Sequence, residues 1–130
     1  MHSDYYTLDN GLQAVDYIFN YSLGFSYGNA FKYTVRAGRK DGNSAEKDLL
    51  KALDYVLSSD KEYSFLTRML LRMKNKKIFN QRSQFAPRPV ADILSALILF
   101  DKPSKIAKLI VKYMRIRDIV IPEEFKKYDC

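Results

Sequence analysis

Four polar residues in the N-terminal third of the chain have the chemistry and the spacing of a phosphate-binding group. Asn29, Lys32, Arg36 and Arg39 follow one another at intervals of three or four residues, so a helix would place them on one narrow arc. Guanidinium groups offer forked donors to phosphate oxygens, and an ammonium group adds a compact positive charge. The pattern predicts a site for a di- or triphosphate along this face.

A glycine-bounded loop follows this arc. The segment 38–42, GRKDG, includes Lys40, and its backbone N–H groups can approach an anion closely. We therefore expect Lys40 to bind phosphate together with the arc. The chain contains no G-x-x-x-x-G-K-[ST] string, so a P-loop is excluded.

Asp48 lies near the start of the next predicted helix, and two roles are open for it. In the first, Asp48 and Lys32 are catalytic, and the carboxylate holds a magnesium ion or orients an attacking phosphate. In the second, Asp48 forms a structural ion pair with Arg36 or Lys51.

The segment 24–42, GFSYGNAFKYTVRAGRKDG, together with EKDLLKA at 46–52, resembles a family of small phage proteins of unknown function. One coliphage member of that family is known as a nucleotide kinase that lacks a P-loop. The resemblance implies a phage-encoded protein that acts in the host cytoplasm and binds a nucleotide. A kinase of this kind would use Mg²⁺.

The two halves of the chain differ in charge. Residues 1–60 carry six Lys and Arg against eight Asp and Glu, whereas residues 61–130 carry sixteen against seven. Such asymmetry indicates either a surface for nucleic acid or an acidic protein, or the solvated outer faces of helices. The residues expected on a partner surface are Arg72, Lys74, Lys76, Lys77, Lys105, Lys108 and Lys112.

The composition excludes several classes of site. The only histidine is His2 and the only cysteine is Cys130, so neither a zinc site within the chain nor a buried histidine base is expected. A single cysteine favours a reducing compartment. No apolar run is long enough to span a membrane, and the acidic N-terminus argues against secretion.

Hydrophobic periodicity predicts an all-α bundle of five or six helices, with a short extended segment near residues 116–121. Gly24 and Gly28 are expected to bracket a turn before a helix over 29–37. Asn43 and Glu46 have capping-box spacing for a helix to residue 58. A helix following Asp60 is predicted to bury an apolar face made of Leu66, Met69, Leu70 and Met73.

These patterns predict a helical core over residues 1–60 and a basic helical region over 61–130, either as one compact domain or as two small subdomains. Two functions follow. The first is a phage accessory protein that binds a nucleotide or another phosphate-rich ligand, and that is a nucleoside monophosphate kinase if it is an enzyme. The second is a non-enzymatic inhibitor of a host defence or nucleic-acid machine, such as an anti-CRISPR protein.

Overall fold

The computed structural model describes residues 4–39, 42, 44–80 and 85–129. These residues contain no strand, and three short 3₁₀ helices bring the helical segments to slightly more than the five or six predicted. The 3₁₀ helices are Asp4–Tyr6, Ser59–Lys61 and Glu123–Tyr128. The α-helices are α1 (Ala14–Asn20), α2 (Gly24–Arg36), α3 (Ala45–Leu57), α4 (Phe65–Ile78), α5 (Val90–Ile98) and α6 (Pro103–Ile116).

The all-α prediction is confirmed. The segment 116–121 is predicted to be extended, but Ile116 ends α6, residues 117 and 118 form a turn, and residues 119–121 have no regular secondary structure.

Helix α2 lies at the centre of the bundle. It packs against α1, α3 and α5, while α6 covers α3 and α5. The largest fully buried side chains come from these helices and from the segments that join them. Among them are Tyr27, Phe31, Leu49, Leu53, Leu97 and Ile110. None of the helices in the described ranges is both long and apolar enough to cross a membrane.

The turn predicted between Gly24 and Gly28 is wrong, because this segment forms the first turn of α2. Gly24 has a φ of 75°, and a Cβ there would lie 2.7 Å from Glu62 Oε2. The Glu62 carboxylate accepts hydrogen bonds from the backbone N–H groups of Phe25 and Ser26, at 2.8 and 2.6 Å. A side chain far along the sequence thus caps α2, and glycine leaves room for it.

Helix α3 begins with a local cap. The Ser44 hydroxyl accepts a hydrogen bond from the backbone N–H of Lys47 at 3.1 Å. Asn43, the predicted capping residue, lies outside the described residues. The helix continues to Leu57, and its buried stripe includes Leu49, Leu53 and Val56.

The predicted inner face of the fourth helix is wrong. Leu66, Met69, Leu70 and Met73 are all exposed, and Asn75 is the buried residue of α4. Ser64, rather than Asp60, is the N-cap.

Polar side chains hold α4 in this orientation. The Asn75 amide donates to the carbonyl oxygens of Tyr21 and Ile98, at 2.9 and 2.7 Å. Arg72 donates to the carbonyl oxygen of Leu99, and Arg68 donates to the Tyr27 hydroxyl. Tyr21 and Leu99 cap the C-termini of α1 and α5, where carbonyl groups lack partners within their own helix. Satisfying these acceptors turns the polar face of α4 inward and its apolar face outward.

We expect Glu62→Gln to reduce the stability of the folded protein. Partial burial alone would raise the pKa of Glu62, but the hydrogen bonds from Ser26 and Phe25 outweigh burial and hold the pKa below its ordinary value. A carboxyl group with a lowered pKa stabilises the folded state above the unfolded pKa, and this contribution disappears as the pH falls through the folded value. The variant should lose about 1 kcal/mol at pH 7.

Urea unfolding of the variant and the parent chain at several pH values tests this expectation. The stability difference should shrink as the pH falls below about 4.3, the ordinary value for glutamate. The same substitution at exposed Glu46 of α3 is the control. A difference that stayed constant between pH 7 and pH 3 would contradict the proposed cap.

Candidate ligand-binding groove

An open groove of about 830 Å³ runs beside α2 and α3. It starts at the capped N-terminus of α2 and continues along the outer surface of α3. Its lining combines aromatic rings, two lysines and two carboxylates. The lining residues are Phe25, Ser26, Tyr33, Lys51, Asp54, Tyr55, Ser58, Lys61 and Glu62.

Three aromatic rings form one wall of the groove. The rings of Tyr33 and Tyr55 are stacked, with centroids 6.0 Å apart and planes 9° from parallel. Phe25 meets Tyr55 edge-on at 5.5 Å. Phe25 is 65% exposed although it is apolar, so a flat ring of a ligand can pack on it.

Cationic groups surround Tyr33. The Nζ atoms of Lys32 and Lys51 lie 4.9 and 5.0 Å from its ring centroid, and the Arg36 Cζ atom lies at 4.7 Å. Within the described part of the chain, neither lysine has a carboxylate partner. Their charges are therefore available to an anion, whereas the charge of Arg36 is already balanced.

Two carboxylates, Asp54 and Glu62, also line the groove. Glu62 is engaged at the N-terminus of α2. Burial, together with the negative charge of Glu124, raises the pKa of Asp54 above its ordinary value. Asp54 therefore takes up a proton more readily than a solvated aspartate as the pH falls, which would make the groove more favourable for anions.

Arg36 and Asp48 form a buried ion pair between α2 and α3. The Arg36 Nη2 atom lies 2.6 Å from Asp48 Oδ1, and Nη1 donates to the Tyr6 hydroxyl at 3.1 Å. Asp48 is fully buried. Burial would lower the pKa of Arg36, but the hydrogen bonds to Asp48 and Tyr6 outweigh it and raise the pKa. The structural pairing that the sequence left open for Asp48 is confirmed, and its catalytic role stays a prediction.

The predicted phosphate-binding arc is not gathered at one point. Asn29 is half-buried and donates its amide to the carbonyl oxygen of Phe25 at 2.8 Å. Arg39 donates to the carbonyl oxygens of Thr7 and Val35, and it lines a separate depression. Lys40 lies outside the described residues. Among the described members of the predicted set, Lys32 has no carboxylate partner, and its Nζ atom lies 4.9 Å from the ring centroid of Tyr33, which lines the groove.

The basic residues of the C-terminal half fall into two groups. Arg72 and Lys105 both form ion pairs with Asp101, and Lys74 donates to the Ser22 hydroxyl. Lys76, Lys77, Lys108 and Lys112 are exposed. Their role in binding a partner stays a prediction.

Asp48 does not suit a magnesium ion. Its Oδ1 atom is bound by Arg36, and the side chain is sealed from solvent. Among the residues that the structure describes, no group of three or more His, Cys, Asp or Glu side chains could hold a metal. The described residues therefore do not form a magnesium site around Asp48.

Sequence reasoning gave little weight to the residues that build the groove. Tyr33 and Tyr55 are two of ten tyrosines, so neither stands out in the sequence. The position of Lys51 suggested an ion pair with Asp48 and not a ligand contact. The spacing of Lys51 and Tyr55 was the available signal, because residues four apart share one face of a helix. No pattern in the sequence indicated that Phe25 would be exposed, because its exposure depends on the way distant Glu62 caps α2.

We expect Asp48→Asn to destabilise the fold strongly. Removing one partner of a buried ion pair leaves the other charge uncompensated, which costs about 3–5 kcal/mol. Chemical denaturation followed by circular dichroism measures the loss. Asp54→Asn, on the same helix but exposed, is the matched control and should change stability by less than about 0.5 kcal/mol. Equal effects of the two substitutions would show that the Arg36–Asp48 pair is not a structural requirement.

The N-terminal part of the chain is similar to a family of unknown function and to one phage protein. Residues 1–57 match the family described as protein of unknown function DUF3310. The SaV protein of Lactococcus phage SK1 is 39% identical over 59 residues, which cover 42% of this chain and 46% of that protein. The chain thus spans about half the length of this relative. No solved structure matches. The family match covers α1, α2 and α3.

Proposed function

We propose that this chain binds a nucleotide, or a similar ligand with an aromatic ring and a phosphate, in the groove beside α2 and α3. The observation that carries the proposal is the pair of lysines, Lys32 and Lys51, that flank Tyr33 without a carboxylate partner. Phosphate groups would bind these ammonium groups. The base would pack on Phe25 and Tyr55 at the other end of the wall.

The geometry supports binding better than phosphoryl transfer. Of the two predicted catalytic residues, Lys32 lies beside the groove and Asp48 is buried in an ion pair. Transfer between two nucleotides would require both ligands to lie in line, with cationic groups at the transferred phosphate. Lys32 and Lys51 can neutralise one phosphate group, and we therefore propose a binding protein rather than a kinase.

Titration calorimetry with deoxynucleoside monophosphates, ATP and inorganic phosphate tests the proposal. Lys51→Ala should weaken nucleotide binding about tenfold or more, because a charge-assisted hydrogen bond contributes about 1.5–3 kcal/mol. Lys112→Ala removes an exposed lysine of α6, away from the groove, and is the control. Tyr55→Ala should weaken nucleotides more than inorganic phosphate, since only nucleotides can stack.

Two results would contradict the proposal. One is the absence of binding at millimolar nucleotide, and the other is a loss of affinity that is equal for Lys51→Ala and Lys112→Ala. A parallel assay of phosphate transfer from radiolabelled ATP to each monophosphate addresses the kinase alternative. Phosphate transfer that the parent chain catalyses and that Lys32→Ala abolishes would show that the protein is a kinase, contrary to the proposal.

A further inference from the structure

Helix α4 presents an apolar stripe to solvent. Phe65 is 81% exposed, and the other four members are between 42% and 57% exposed. These side chains recur at intervals of one, three or four residues, so they cover one face of the helix. We call this face the α4 stripe, and its members are Phe65, Leu66, Met69, Leu70 and Met73.

The stripe is turned outward by the opposite face of α4. Asn75, Arg72 and Arg68 hold that face to the bundle through hydrogen bonds with carbonyl and hydroxyl oxygens. Rotating α4 to bury the stripe would break these bonds and leave the acceptors unsatisfied. The chain therefore cannot cover the stripe by a rotation of the helix alone.

The stripe is large enough to contribute about half of an interface. At about 150 Å² for each side chain, the lower end of the range for large apolar residues, the exposed fractions leave roughly 450 Å² of apolar surface on each copy. A standard interface buries about 800 Å² on each partner. The stems of neighbouring lysine and arginine side chains can supply the remainder.

The charges at the two ends of α4 are complementary. The helix contains no acidic residue, and Lys76 and Lys77 are exposed at its C-terminal end. Just before its N-terminal end lies Asp60, whose side chain is 81% exposed although Arg68 Nη2 lies 3.4 Å from its Oδ1 atom. Lys61, beside Asp60, is also exposed, so the excess of negative charge at this end comes from Asp60 together with Glu62. An antiparallel copy would set the lysines of one chain against the aspartate of the other. A parallel copy would instead bring like charges together at both ends.

We propose that α4 pairs in antiparallel orientation with α4 of a second copy of this chain. The two-fold axis passes near Met69, so each Met69 meets its equivalent and Phe65 meets Met73. The helix is 14 residues long, or about 21 Å, which allows several layers of side chains to interdigitate. This pairing is independent of ligand binding in the groove beside α2 and α3.

Sedimentation velocity over a range of protein concentrations tests the pairing. The parent chain should form a dimer that dissociates on dilution. Met69→Glu should shift the dissociation constant by at least 100-fold, because two carboxylates would meet at the axis. Phe19→Glu, on α1, is the matched control, since Phe19 is 79% exposed but lies outside the stripe. Circular dichroism verifies that both variants remain folded.

A charge reversal tests the orientation. Lys76→Glu with Lys77→Glu should weaken the dimer about tenfold, and adding Asp60→Lys should restore it. A chain that stays monomeric at several hundred micromolar overturns the proposal, as does a dimer that Met69→Glu leaves intact. A monomer that binds anionic vesicles, or an acidic helix of another protein, through Met69 also overturns it. Failure of the charge rescue overturns the antiparallel arrangement.

Discussion

The buried ion pair between Arg36 and Asp48 constrains the structure more than any other contact. Its two charges lie on α2 and α3, and neither charge tolerates burial alone. The two helices can therefore pack only in the register that brings these side chains together. That register also stacks Tyr33 on Tyr55 and opens the groove beside them. The same pair removes Arg36 from the set of cations that a ligand could use.

Local patterns in the sequence predicted what depends on neighbouring residues. The all-α class and a third helix that ends near residue 58 follow from apolar periodicity and cap spacing, and the pairing of Asp48 with Arg36 is one of the two roles that the sequence leaves open. Contacts between distant residues were not predictable. Glu62 caps α2 from 36 or 37 residues away, and no local signal marks such a cap. The position of Arg39 is another such case, since it donates to the carbonyl oxygen of Thr7 in a distant segment and lies away from the groove, while phosphate binding by the arc stays a prediction.

Helix α4 shows why amphipathic periodicity predicts two faces but not which of them points inward. Burying apolar side chains and satisfying unpaired carbonyl groups are competing demands. At the ends of α1 and α5 the carbonyl groups lie close together, and the Asn75 amide reaches the carbonyl oxygens of Tyr21 and Ile98 at once. The polar face of α4 therefore packs on the bundle. Both faces of α4 can be read from the sequence, but the positions of the carbonyl acceptors at the ends of α1 and α5 are known only once the chain is folded.

The capping of α2 by Glu62 has a consequence for how this protein is divided. The segment that matches the family of unknown function ends at residue 57, yet the carboxylate that caps α2 is five residues further on. A fragment cut at that similarity boundary would leave two backbone donors of α2 without their acceptor. The same cut would remove α5 and α6, which pack on α2 and α3 and cover their buried side chains. The border of sequence similarity therefore divides a single packed core.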